Sequence, residues 1–225
     1  MNGSAYSLAI ETSSRRGAVA LGVGDSLLET LDLGEQRRHA VALMPGIDRL
    51  CRQHGVAPGN IAEIYVSVGP GSFTGLRVGV TTAKVLSRVT GAKLVAVPTL
   101  QVVAHNVLPD RATVAVMLNA KGGRCFTAVY KPDRAVLGPC LMTPAELCDV
   151  YRGPVLGDQL PPHDWPADIE LLDPALATPR GEAVWEIGRR MAQQGRFTPK
   201  LELTPLYVRL PEAEELWQAR NLKAL

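Results

Sequence analysis

The sequence predicts an α/β protein of two similar lobes, each a mixed sheet with flanking helices. Two observations carry that expectation. Apolar runs of strand length alternate with segments of helical period in the order strand-strand-strand-helix-strand-helix, and the order occurs twice. Shifting the first block by 108 residues also lays it on the second without a gap. Glu11 then falls on Asn119, Gly17 on Cys125, Val19-Ala20-Leu21 on Thr127-Ala128-Val129, and Asp25 on Asp133, as a duplication would leave them.

The first lobe, expected over residues 1–105, opens with strands at 6–12, 17–23 and 27–33, and Gly24-Asp25-Ser26 between the last two has hairpin chemistry. A helix is expected from about His39, because Ala40, Leu43, Met44, Ile47, Leu50 and Cys51 recur at helical spacing and form one apolar stripe. Pro45 lacks an N–H and should kink that helix or shorten its start. Gly55 closes it. A strand over 61–68, a helix over 74–90 stopped by Gly91, a strand over 93–97 and a short helix over 99–106 follow, the last with Thr99 as N-cap.

The second lobe, expected over 106–210, has strands at 113–119, 124–131 and 135–141 and a helix over 144–151. A strand at 155–157, a proline-rich connection over 161–166, a strand near 169–172 and a helix over 181–194 complete it. The tail, 211–225, carries Glu212, Glu214 and Glu215, which suit the first turn of a helix, with Leu216, Trp217 and Leu222 available to dock; a tail without fixed packing is the alternative.

Composition bounds function loosely. An apolar content of 46% in 225 residues can bury a core, and a net charge of +2 with the arginine pairs Arg15-Arg16, Arg37-Arg38 and Arg189-Arg190 scattered argues against a dedicated nucleic-acid face. The start of the chain lacks the pattern of a secretory signal, and no run approaches the roughly 20 apolar residues of a membrane span. Cys51, Cys125, Cys140 and Cys148 form no C-x-x-C pair and read as thiols of a reducing compartment, so a cytoplasmic protein is expected.

The most distinctive segment is GPGSFTGLR, residues 69–77, at a strand-to-helix junction. Such junctions often bind phosphate. Yet Leu76 stands where a P-loop needs lysine, and the third glycine comes one residue late for a dinucleotide loop. Nor is it a nucleophile elbow, since Thr74 replaces the second glycine of G-x-S-x-G, so Ser72 and Thr74 read as helix-capping groups. Gly71, Gly75, Gly79 and Ala83 lie four apart and form a strip of small residues along the helix. Beside the stripe Leu43, Met44, Ile47 and Leu50, that strip serves either this chain's own core or a two-helix surface that pairs with another chain.

These residues resemble the bacterial TsaB (YeaZ) family. The matching pieces are L-A-I-E-T-S (8–13), R-x-H-x-x-x-L-x-P-x-I (37–47), GPGSFTGLR-V-G (69–79), P-T-L (98–100) and P-x-Y-x-R (205–209). The resemblance covers nearly the whole chain. It implies a two-lobed fold of the actin, hexokinase and Hsp70 kind and a role in making threonylcarbamoyladenosine beside the tRNA anticodon. It further implies a noncatalytic subunit that pairs with TsaD, helps recruit TsaE, forms a homodimer without TsaD, and meets tRNA through the complex. The pairing surface is then expected at Leu43, Met44, Ile47, Leu50, Gly71, Gly75, Gly79 and Ala83. The alternative is an enzyme acting on ATP or a phosphorylated small molecule in the interlobe cleft.

The residues test that alternative. An ATPase of this fold holds phosphate at two hairpin turns and magnesium through strand-end carboxylates. Here those positions read Glu11-Thr12-Ser13 and Asn119-Ala120-Lys121, the second without a charge, so magnesium should be held poorly. Thr12, Ser13, Gly122 and Gly123 are the candidate contacts for a weakly bound ATP, with no cofactor required. The TsaD-like metal pair H-x-x-x-H is broken, because Leu43 follows His39 by four residues, and His54, His105 and His163 have no partner at helical spacing. A peptidase, the third reading, would need such a metal. No catalytic residue is assigned.

Overall fold

The computed structural model describes residues 5–35 and 39–208, with the backbone alone at Glu35 and His39. Arg37, Arg209 and the expected tail helix over 211–225 lie outside the described residues.

Strands β1 (Tyr6–Glu11), β2 (Arg16–Val23), β3 (Ser26–Glu35), β4 (Ile61–Gly69) and β5 (Lys93–Pro98) form one sheet in the order β3-β2-β1-β4-β5. The first three pair antiparallel, and β1, β4 and β5 run parallel. The second sheet repeats this plan with β6 (Val114–Asn119), β7 (Cys125–Tyr130), β8 (Ala135–Met142), β9 (Gly153–Asp158) and β10 (Ile169–Leu171), ordered β8-β7-β6-β9-β10. The 108-residue shift carries the bounds of β1 onto those of β6, so the offset read from the sequence is the offset of the two sheets.

Alternation along β1 sets the layers of the first lobe. Leu8 and Ile10 face helices α1 (His39–Gln53) and α2 (Phe73–Thr90), whereas Ala9 faces α5 (Gly181–Gln193). Both α1 and α2 follow strands that run the same way, so they return across one sheet face side by side and parallel. Pro45 does not end or shorten α1, which is continuous from His39. Gly91, at φ 79°, caps α2 by donating its N–H to Ser87 O.

The halves are interlocked rather than separate. Helix α3 (Thr99–His105), which ends the first block, packs on β6 and β7 as well as on β4 and β5. Helix α5, expected in the second lobe, lies across the first sheet, where Ala183, Val184 and Ile187 meet Ala9, Ala20, Tyr65, Val95 and Val97. Two glycines make that seat: a Cβ at Gly22 would overlap the Trp185 indole, and one at Gly188 would overlap the Tyr65 ring. The second lobe is also the leaner copy. Helix α4 (Pro144–Val150) stands where α1 stands, but β9 runs to β10 through the proline-rich connection without an α-helix, leaving α2 with no counterpart.

Candidate functional site

The C-terminal end of β1 and the glycine loop form one buried unit. Ser72 N–H donates to Ser13 O at 2.7 Å, and the Thr12 hydroxyl donates to Gly75 O at 2.8 Å. Ser72 is the N-cap of α2, its Oγ accepting from Gly75 N–H. The glycines are required by closeness: a Cβ at Gly71 would run into Ser13 O, one at Gly75 into Thr12 O, and one at Gly79 into the Thr12 hydroxyl. Thr99, expected as an N-cap, is instead the first residue of α3. Its hydroxyl accepts from Gly69 N–H at 3.0 Å and bonds the Ser67 hydroxyl at 2.6 Å, tying β4 and the loop to α3.

Glu11 sits beneath this unit and is fully buried. Its Oε1 accepts from the Ser13 N–H and hydroxyl, both at 2.5 Å, while Oε2 has no partner among the described residues. Burial pushes the carboxyl above its ordinary value; the bonds from Ser13 and the nearby Ser67 hydroxyl offset this only in part. A carboxyl with a raised folded pKa stabilises the fold most below the unfolded value of about 4.3, and that contribution is lost as pH rises through the folded value. Glu11→Gln is therefore expected to be more stable than the parent at pH 8, with the gap closing towards pH 4 in urea denaturation followed by circular dichroism. A gap of constant size across that range would mean that Glu11 does not titrate differently in the folded chain.

Thr12 and Ser13, expected as nucleotide contacts, are buried and bonded to the glycine loop. In the second lobe Gly122 and Gly123 are exposed and, with Lys121, form a turn at φ 62°, 74° and 64°. Asn119 there builds the turn: its Oδ1 accepts from Lys121 N–H at 2.7 Å and its Nδ2 donates to Gln159 O at 2.5 Å. Of the four expected contacts, Thr12 and Ser13 are bonded within the protein, while Gly122 and Gly123 stay exposed. The one carboxylate is sealed, and the hydroxyls beside it are committed to protein partners.

The expected pairing surface is largely interior. Leu43, Ile47, Leu50 and Ala83 belong to the core under α1 and α2, and Gly75 and Gly79 are buried against β1. Of the eight residues only Met44 and Gly71 are exposed. The outer faces of α1 and α2 carry other apolar groups: Val41, Met44, Val85 and Val89 are 48–79% exposed. Sequence reasoning also missed the segment that follows α5. Thr198 N–H donates to Leu94 O, Leu203 enters the core, and Leu206 N–H donates to Val68 O. This run brings Tyr207 to Phe73, with ring centres 5.3 Å apart, while the Arg77 guanidinium lies 3.7 Å over Phe73. P-x-Y-x-R carried that signal, but nothing local in it names Phe73 as the tyrosine's neighbour.

Two sheets of like topology, joined by helices that cross between them, define the actin–hexokinase–Hsp70 class of fold. The family model for TsaD, tRNA N6-adenosine threonylcarbamoyltransferase, matches residues 34–171. The chain belongs to that family, on its TsaB (YeaZ) branch. It is 29% identical to the tRNA threonylcarbamoyladenosine biosynthesis protein TsaB of Bacillus subtilis, over 93% of this chain and 96% of that protein. Against the protein of the same name from Escherichia coli it is 24% identical, covering 90% and 94%. The solved structure of YeaZ from Pseudomonas aeruginosa superposes with a TM-score of 0.78 at 22% identity, over 90% of this chain and 99% of that one. Among the described residues no helix is long and apolar enough to cross a membrane.

Proposed function

We propose that the chain serves tRNA threonylcarbamoyladenosine biosynthesis as a noncatalytic subunit, pairing with TsaD and helping to recruit TsaE in the cytoplasm. Family membership supports the pathway, since the full-length relatives carry that biosynthesis in their names. The observation that carries the noncatalytic part is the closure of the glycine loop on Thr12 and Ser13 above a buried Glu11. A chain that used nucleotide at this turn would need the carboxylate open to metal and the hydroxyls free. No nucleotide is required in this reading, and tRNA is met through the complex.

The outer faces of α1 and α2 are the surface this reading assigns to TsaD, and to a second copy when TsaD is absent. Exposed apolar groups on adjacent parallel helices suit a partner that covers them. Val85→Glu with Val89→Glu places two charges on that face without touching the core. Co-purification with the host's own TsaD is expected to weaken about tenfold or more, as a desolvated unpaired charge dictates, while thermal unfolding of the isolated chain stays unchanged. A folded double variant that pairs as well as the parent would move the interface elsewhere. Tight, magnesium-dependent ATP binding by the isolated chain would count against the noncatalytic reading itself.

A further inference from the structure

Helix α2 has a solvent side of one charge. Its 18 residues carry Arg77, Lys84 and Arg88 and no acid. With Thr81 these recur at i, i+4, i+7 and i+11, which sets them in one basic ridge along the helix. Exposed apolar groups flank the ridge. Val85 and Val89 stand on one side of it, and Leu201, 90% exposed, on the other. Leu201 is held there by its neighbours: Lys200 Nζ donates to Ser87 O at 3.1 Å, and Lys84 Nζ donates to Leu203 O at 3.2 Å.

The last described residues deliver the chain to the start of this ridge. Leu206 N–H donates to Val68 O, Tyr207 packs on Phe73, the first residue of α2, and Arg77 Nε donates to the Tyr207 hydroxyl at 3.3 Å. The residues that follow complement the ridge. Glu212, Glu214 and Glu215 precede Leu216 and Trp217, and Ala213, Leu216, Trp217 and Ala224 share one helical face. As a helix, 211–225 would span about 22 Å beside the roughly 27 Å of α2. Its acidic first turn would then meet both Arg77 and the positive end of the α2 dipole.

We propose that residues 211–225 dock as a helix along this ridge, parallel to α2, with the three glutamates at Arg77 and Trp217 seated between Val85 and Leu201. The tail then covers part of the face assigned to TsaD, and TsaD must displace it. That consequence rests on the TsaD pairing surface being the outer face of α1 and α2; the docking itself does not. A helix laid on an outer face leaves the core under α2 untouched, so its release is read locally and not in the unfolding temperature. A tail that occupies the face about nine-tenths of the time lowers the apparent TsaD affinity about tenfold.

The test is methyl NMR of the 225-residue chain, labelled at valine and leucine, against Trp217→Leu, which keeps an apolar tail and removes the indole ring current. The Val85 and Leu201 methyls are expected upfield in the parent and should return in Trp217→Leu, while the core methyls of Val66 and Val116 stay in place. Reversing the tail's charge with Glu212→Lys, Glu214→Lys and Glu215→Lys together should release the same shifts, as should added potassium chloride. The charge-reversed chain should bind the host's own TsaD about tenfold more tightly. Val85 and Leu201 resonances identical in the parent and Trp217→Leu would overturn the docking. So would shifts that appear only as the chain concentration rises, which would give the ridge to a second copy, and shifts that fall instead on Val136 or Val150 of the second lobe. Docking and pairing fail separately. Ring-current shifts with TsaD affinity unmoved by charge reversal would keep the tail in place and take the face from TsaD, whereas Val85→Glu with Val89→Glu weakening TsaD in a chain that lacks those shifts would sink the tail alone.

Discussion

Gly75→Ala is expected to destabilise the chain by about 3 kcal/mol, the upper range for forcing an extra methyl into a packed interior. The new Cβ would occupy the position of Thr12 O, which is backbone and cannot rotate away. Relief requires lifting the start of α2 from β1. That strains two bonds at once, Thr12 hydroxyl to Gly75 O and Ser72 N–H to Ser13 O. For a chain of this length the loss corresponds to a fall of roughly 6–12 °C in unfolding temperature. Differential scanning calorimetry reads it directly. Full stability combined with lost TsaD pairing would mean that the small-residue strip faces a partner and not β1.

Trp185→Ala should cost about 3–5 kcal/mol, the usual range for deleting a buried tryptophan. Trp185 is the largest side chain α5 lays on the first sheet. Its indole covers Gly22 and its Nε1–H donates to the Ser7 hydroxyl at 2.8 Å, so truncation opens a cavity and removes that hydroxyl's donor together. The effect is legible in urea denaturation, and Ser7→Ala alone should account for about 1 kcal/mol of it. A loss below about 1 kcal/mol for Trp185→Ala would show that α5 is not seated as described.

Element order and type were legible because each is a local matter. The stripe Leu43, Ile47, Leu50 and the alternation of β1 mark their own periods, and Gly91 marks its own stop. The repeat was legible too, since strand and turn lengths survive where identities do not. What the sequence left open were contacts between distant segments. Four-residue spacing of Gly71, Gly75 and Gly79 announces that something comes close, but the partner, Thr12 and Ser13, lies about sixty residues away. The strip reads from the sequence as core or as surface alike; it lies against β1, and the exposed side of α1 and α2 holds Val41, Val85 and Val89. Thr99 has the chemistry of an N-cap, yet its hydroxyl is claimed by Gly69 across the sheet.

The crossing of α5 back to the first sheet has a consequence for biosynthesis. Translation releases β1 through β5 first, and the last of them ends at Pro98, whereas α5 begins at Gly181. At about 5–20 residues per second the nascent sheet waits several seconds with Ala9, Ala20, Tyr65, Val95 and Val97 uncovered. During that interval it is an open apolar plate on a ribosome-bound chain. A ribosome stalled before residue 181 should display a trigger-factor-binding, protease-sensitive lobe, and one stalled after α5 has cleared the exit tunnel should not.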